Sequence, residues 1–394
     1  MDGIRVIVVL GLLAGPTYYA QRFIDYMNEH SVSYHVLDVN DPESYNSDRF
    51  LEHAKSPGTV MFTFNNIGVD LKDKDGENFW RVNDIPVCNN LVDHPRNFAG
   101  TLLDPQCEMY VFANDKDHVD FIDRYYPKVK RAYFSPNGGW EEGDRIPYKD
   151  RKIQVLYMGD CQAPIGSFPE IKEFEDKGRD FYNKTISYLL EDPTLSTEAA
   201  IYRYCDTYIG DAGEDVLFEL NVRNAIFIES AVRRHFKLEG IRALDRVGVK
   251  VEIYGLNWTD DAYPFSDNVK IHDRIDRQSV MRKIGDSKIS LCFIPWFKRG
   301  CSEKNLDSML NGALCVTDRS EYLSEHYRDG YNIVYFDLNN PSQMAADVRW
   351  LLDNPDAAEQ IAAKGYETAK RYDTWFNRYD RITETIKDIV SARS

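Results

Sequence analysis

Ile289-Ser290-Leu291-Cys292-Phe293-Ile294 is followed by Pro295 and the polar run Phe297-Lys298-Arg299-Gly300-Cys301-Ser302-Glu303-Lys304. Asn305-Leu306-Asp307-Ser308-Met309-Leu310-Asn311 comes next, then Gly312, then Ala313-Leu314-Cys315-Val316-Thr317. The first run is short, apolar and β-branched, as a strand covered on both faces must be. Residues 305–311 have helical character, and Gly312 stands where a glycine ends a helix. A second apolar strand follows at once. Strand, loop, helix, strand is a βαβ unit, and its strand-to-helix loop lies at the carboxyl edge of a parallel sheet, where ligands bind. Free N–H groups at the helix start suit a phosphate, and Arg299 and Lys304 place cations beside them. The alternative for these residues is an ordinary solvated loop.

The same alternation extends outward in both directions. Val6–Leu10, Tyr34–Val39, Thr59–Phe64, Ile85–Val92, Tyr110–Ala113 and Arg131–Phe134 read as strands separated by helices or loops. They predict a parallel α/β domain over residues 1–150. A second domain, 151–374, opens with the strand Ile153–Gly159 and resumes alternation at Lys250–Gly255, Val269–Ile271 and Asn332–Phe336, after a helical insertion at about 168–247. Residues 375–394 form a closing helix with Trp375, Tyr379, Ile382, Ile386 and Ile389 at helical spacing on one face.

A chain of 394 residues is long enough for two cores. Its formal net charge of -16 argues against general nucleic-acid binding, which needs a basic face. No segment is apolar enough to span a membrane. Seven cysteines, an odd number without a Cys-x-x-Cys pair, show neither a disulfide framework nor zinc spacing, so a cytoplasmic home is expected.

The second half resembles the CgeB-like glycosyltransferases, relatives of the group 1 glycosyl transferases in the GT-B superfamily. The resemblance rests on His272-Asp273-Arg274-Ile275, Ser287-Lys288-Ile289-Ser290-Leu291, Met309-Leu310-Asn311-Gly312-Ala313 and Val316-Thr317-Asp318. It continues through Tyr322-Leu323, Asp329-Gly330, Asn354-Pro355, Thr374-Trp375 and Ile253-Tyr254-Gly255 with Trp258. In the first half Leu91-Val92-Asp93-His94-Pro95, Asp117-His118-Val119 and Pro136-Asn137-Gly138-Gly139 are similar to family segments. Arg299 and Asp307 stand where related enzymes often carry glutamates, Ser302-Glu303-Lys304 where members commonly show His-Asp-Arg, and Asn137 where a histidine is expected.

That resemblance implies two facing Rossmann-like domains, with a last helix returning to the first. It implies a metal-independent glycosyltransferase that moves a sugar from a nucleoside-diphosphate donor, expected to be a UDP-sugar, to a glycan, protein or small-molecule acceptor in the cleft between domains. No cofactor is expected. Arg299, Gly300, Ser302, Glu303, Lys304, Asp307 and Gly255 are the expected donor-side residues. Gly11, Gly15, Asn137 and Gly138 are expected in acceptor- or sugar-side loops. His94 is the expected base, since an imidazole at a strand end can take the acceptor proton with Asp93 orienting it. A structural loop histidine is the competing reading. Asp260-Asp261 has the wrong spacing for a metal pair and reads as a solvated turn, leaving no metal site. The rival functions are a catalytically silent sugar-nucleotide or glycan-binding protein of this fold, and a sugar-nucleotide epimerase.

Overall fold

The computed structural model describes residues 4–142, 146–164, 176–258 and 264–393. The start of the expected helical insertion and the pair Asp260-Asp261 lie outside them. The chain divides into two compact units, Met1–Gly138 with Trp375–Ser394, and Gly139–Thr374.

Unit 1 is built on a parallel sheet of β1 (Arg5–Leu10), β2 (Ser33–Asp38), β3 (Thr59–Phe64), β4 (Val87–Leu91), β5 (Met109–Ala113) and β6 (Arg131–Phe134), in the order β2-β1-β3-β4-β5-β6. Every residue of β3, β4 and β5 is buried, which is why these strands read as continuous apolar or mixed runs without alternation. The helix Trp375–Arg393 belongs to this unit and buries its whole stripe, Trp375, Tyr379, Ile382, Ile386 and Ile389. Trp375 packs 4.8 Å from Tyr19 between ring centres, and the Tyr379 hydroxyl donates to the Tyr19 carbonyl at 2.8 Å.

Unit 2 holds β7 (Ile153–Met158), β8 (Val251–Tyr254), β9 (Val269–His272), β10 (Ser287–Cys292), β11 (Leu314–Asp318) and β12 (Val334–Phe336), parallel in the order β12-β11-β10-β7-β8-β9. Residues 289–317 are the predicted βαβ unit: β10, the helix Glu303–Leu310 and β11. The helix starts two residues before Asn305 because Ser302 caps it; Ser302 accepts the Lys304 N–H while Asn305 reaches back to the Ser302 N–H. Helices Asp176–Glu191, Thr197–Tyr208 and Gly213–Arg246 fill the described part of the long insertion and pack Ile201, Ile228 and Phe236 into the core of the sheet.

The boundary lies at 138/139 and not at 150. The N–H groups of Gly139, Trp140 and Glu142 donate to the Asp373 carbonyl (2.8 Å), the Asp307 carboxylate (2.8 Å) and the Asn311 side chain (3.0 Å), so these residues already fold with unit 2. Composition alone does not mark this point, because nothing in the segment 139–150 breaks the chain's polarity.

In each sheet the chain begins at an interior strand, runs to one edge, then returns to the other side of its starting strand. Unit 1 therefore reverses between β1 and β3, and unit 2 between β7 and β10. Loops leaving such a pair diverge and open a crevice at the carboxyl edge. Among the described residues no helix is long and apolar enough to cross a membrane. None of the seven cysteines is in a disulfide, and all are buried.

Candidate functional site

In unit 2 the loop after β7, Gly159-Asp160-Cys161-Gln162, meets the start of the helix Glu303–Leu310, which follows β10. Lys304 is the junction. A Cβ on Gly159 would lie 2.6 Å from the Lys304 ammonium, so only glycine admits that approach. Among the described residues the Lys304 ammonium has no hydrogen-bond or ion-pair partner, although it sits in the first turn of the helix that Ser302 caps.

A second amine converges on the same loop. Lys237, from the helix Gly213–Arg246, is 2% exposed and donates to the Asp160 carbonyl and the Gln162 side chain, each at 2.9 Å. Burial, then the nearby Lys304 charge, push its amine well below the ordinary lysine range. Arg233 and Arg234 stand on the same stretch of helix. Arg233 lies 3.9 Å from the centre of the Trp296 ring, and Arg234 donates to the Gln162 carbonyl at 2.8 Å. Asp160 accepts the Leu256 N–H and the Arg274 guanidinium, and the Arg274 bond holds its carboxyl below the usual range. Lys304, Arg233, Arg234 and Arg274 thus gather cationic charge around this loop, against the Asp160 carboxylate.

Sequence reading missed Lys237, Arg233 and Arg234, because the insertion reads as packing. The signal was Arg233-Arg234 followed by Lys237, cations at adjacent helical positions on a face otherwise bound for the core.

The expected donor residues divide. Ser302 and Gly300 are buried parts of the loop's own architecture, and Glu303 lies half-buried beside the Ser302 hydroxyl. Arg299 is paired with Glu321 at 3.4 Å. Asp307 does not face the loop. It is buried, accepting the Trp140 N–H at 2.8 Å and pairing with Arg277 at 2.9 Å, so it ties Trp140 and Arg277 to the helix. Gly255 is required for packing: a Cβ there would lie 2.2 Å from the Gly159 carbonyl. Trp258 is buried and donates to that same carbonyl at 2.9 Å, so it holds the loop and stacks on no base.

Unit 1 has its own crevice where its sheet reverses. Leu12 and Leu13 after β1, and Asn65-Asn66-Ile67-Gly68 after β3, line a groove of about 600 Å³. Gly11, with φ +107°, turns the chain tightly into this edge, and the Cβ position of Gly15 meets nothing within 4 Å. Asn65 and Asn66 are left-handed, at φ 51° and 62°, and the Asn65 amide donates to Asp93 at 2.8 Å. Asn137 is buried and its carbonyl accepts the Arg378 Nε–H at 3.2 Å, which makes it an anchor for the last helix; Gly138 closes the unit.

His94 is placed as a cap. Its Nδ1 accepts the Arg96 N–H at 3.1 Å, at the start of the short 3-10 turn Pro95–Phe98. A neutral imidazole whose Nδ1 lone pair is used this way carries its proton on Nε2, leaving no free lone pair for an acceptor proton. The ring also packs against His118 (4.2 Å) and Phe121 (5.0 Å). Asp93, exposed beside Asn65, is one carboxylate at that edge, and Asp70 and Asp104 line the groove itself.

Two buried carboxyls in unit 2 give a pH dependence. Burial pushes Asp307 and Asp318 each up to about 6, against the opposing pull of Arg277 for Asp307 and of the Ile294 N–H for Asp318. A carboxyl raised in the folded state adds stability below its unfolded pKa of about 4, and this is lost as pH rises through about 6. Asp318→Asn keeps an acceptor for the Ile294 N–H, so its melting temperature relative to the native chain is expected to rise between about pH 4 and pH 6 and to level off above. Parallel melting profiles for the two proteins would exclude this linkage.

Residues 233–384 match a family model described as glycosyl transferase-like; the match begins at Arg233 and takes in Lys237 and the helix Glu303–Leu310. Solved structures with the same fold include an alpha-glucosyltransferase in complex with UDP-glucose and DNA containing an abasic site (TM-score 0.55, 11% identity, covering 98% of this chain and 99% of that one). Sucrose-phosphate synthase from Thermosynechococcus elongatus is similar at TM-score 0.53 and 10% identity, over 99% of each chain. HepE of Anabaena in complex with UDP is similar at TM-score 0.52 and 10% identity, over 98% of this chain and 100% of that one. The fold is the α/β GT-B fold. No match is found among curated proteins.

Proposed function

We propose that the chain is a glycosyltransferase of the CgeB-like kind, acting in the cytoplasm, which moves a sugar from a nucleoside diphosphate to a hydroxyl acceptor. The donor is assigned to the β7/β10 crevice of unit 2 and the acceptor to unit 1. One observation carries the reading: the unpaired Lys304 amine over Gly159, at a capped helix start, beside the buried Lys237. As the bond from the sugar to the diphosphate breaks, the electron pair stays on the leaving phosphate oxygen. The Lys304 amine meets that charge, with the positive end of the helix beside it and Lys237 holding the loop from below. The similar structures that hold UDP or UDP-glucose make uridine diphosphate the first nucleotide to test. With a lysine meeting the diphosphate charge, turnover is expected to persist in EDTA.

Lys304→Ala is expected to weaken UDP binding by about tenfold or more, since a charge-assisted contact is worth roughly 1.5–3 kcal/mol. Lys237 adds a second readout. Lys237→Met removes the bonds to the Asp160 carbonyl and the Gln162 side chain, and is expected to loosen the loop and weaken UDP binding as well. Unchanged affinity in Lys304→Ala, with the fold intact by circular dichroism, would remove the crevice from the donor site. A panel of nucleotide sugars separates the readings: transfer to an acceptor supports the proposal, an altered sugar means epimerisation, and protection from melting without turnover means a silent binding protein.

A further inference from the structure

A second crevice in unit 2 lies at the other edge of its sheet, beside the amino end of β12. The helices Pro341–Asp353 and Pro355–Tyr372, joined at Asn354, turn Asp347 and Trp350 from the first and Gln360, Ile361 and Lys364 from the second toward one groove. The intervals of three and four residues place each set on a single helix face. Tyr331, in the turn before β12, closes the end. The groove holds about 530 Å³, within the range of sites for small organic ligands.

Its chemistry is specific. Trp350 is 55% exposed and Tyr331 49%, so two large aromatic faces stand in water on one groove. The Lys364 ammonium lies 4.8 Å from the centre of the Tyr331 ring and steadies it. The polar rim carries Asp347 and Asp329, the latter paired with Arg319 at 3.2 Å, against Lys364, with the Gln360 amide beside them, so no excess of positive charge selects a phosphate or an anionic surface. An aromatic face is electron-rich and suits the weakly positive C–H face of a pyranose, while a carboxylate and an amide take its hydroxyls.

We propose that this groove binds a neutral glycan chain, at a place separate from the nucleotide crevice. Trp350 and Tyr331 are the stacking platforms, and Asp347 and Gln360 hold the hydroxyls. The assignment stands on the groove alone and does not require the donor reading to be right.

Saturation-transfer NMR on the full chain, with maltohexaose and with cellohexaose in the presence of saturating UDP, tests it. Transfer to pyranose C–H protons is expected for at least one of the two. Trp350→Ala and Tyr331→Ala are each expected to weaken that binding by about fivefold or more, with melting temperature and UDP affinity unchanged, while Tyr331→Phe keeps it. Several outcomes overturn the proposal: no transfer to either oligosaccharide, undiminished binding in Trp350→Ala, or transfer that is seen without UDP and lost when UDP is saturating. A concentration-dependent dimer that Trp350→Ala dissolves would give the groove to a second copy of the chain and also overturn it.

Discussion

Replacing Trp375 by alanine is expected to destabilise unit 1 by about 3–5 kcal/mol, the range for emptying a fully packed aromatic site. Trp375 is 1% exposed and opens the last helix among Tyr19, Phe64 and Tyr379, at 4.8, 6.1 and 5.5 Å between ring centres. These rings come from the first helix, from β3 and from the last helix itself, so one truncation loosens three elements together. The indole N–H is buried without a partner among the described residues, which carries a desolvation penalty of about 1–3 kcal/mol. Trp375→Phe removes that orphaned donor while keeping most of the ring, and is expected to lose far less than the alanine variant. Denaturant unfolding measures both. Equal losses in the two variants would mean that the site is held by something other than ring packing. Removing the chain after Arg371 deletes the whole stripe and is expected to leave unit 1 unfolded or strongly destabilised.

Asp93→Asn is expected to cut turnover by about two to four orders of magnitude while leaving UDP affinity nearly unchanged, if the carboxylate takes the acceptor proton. The amide keeps an acceptor oxygen for the Asn65 side chain, so the loop is retained and the proton acceptor alone is lost. His94→Asn is the paired control. Asparagine caps the following turn as His94 does, so turnover is expected to survive there. Loss of activity in His94→Asn with Asp93→Asn unaffected would restore the imidazole as base. Normal turnover in both would assign the proton to the leaving phosphate.

The strands and the order of the sheets were legible because each signal is short in range. Thr59–Phe64 is buried along its whole length, and so reads as an unbroken apolar run. The closing helix was equally plain: its stripe recurs at helical spacing, and each member is buried. The position of Lys304 just inside a helix start after a parallel strand was also legible, since strand, loop and helix are local patterns. Asp307 looked the same on paper, one helical turn later. Its partners Trp140 and Arg277 lie far away in the chain, and only the folded unit shows the carboxylate turned toward them. His94 failed for a closer reason. The Arg96 N–H two residues on claims its lone pair, a local bond that strand-end reasoning overlooks.

The sequence by itself determined the periodicities: which runs are buried strands, which are helical, and that two parallel sheets follow one another. Those depend on neighbours within a turn or a strand. Tertiary structure alone decided which charges meet. Parallel pairing of β7 with β10 brings residue 159 to residue 304, and the helix that crosses behind them lowers Lys237 onto the same loop. Contacts of that separation are fixed by strand register and helix packing, to which no local pattern of side chains corresponds.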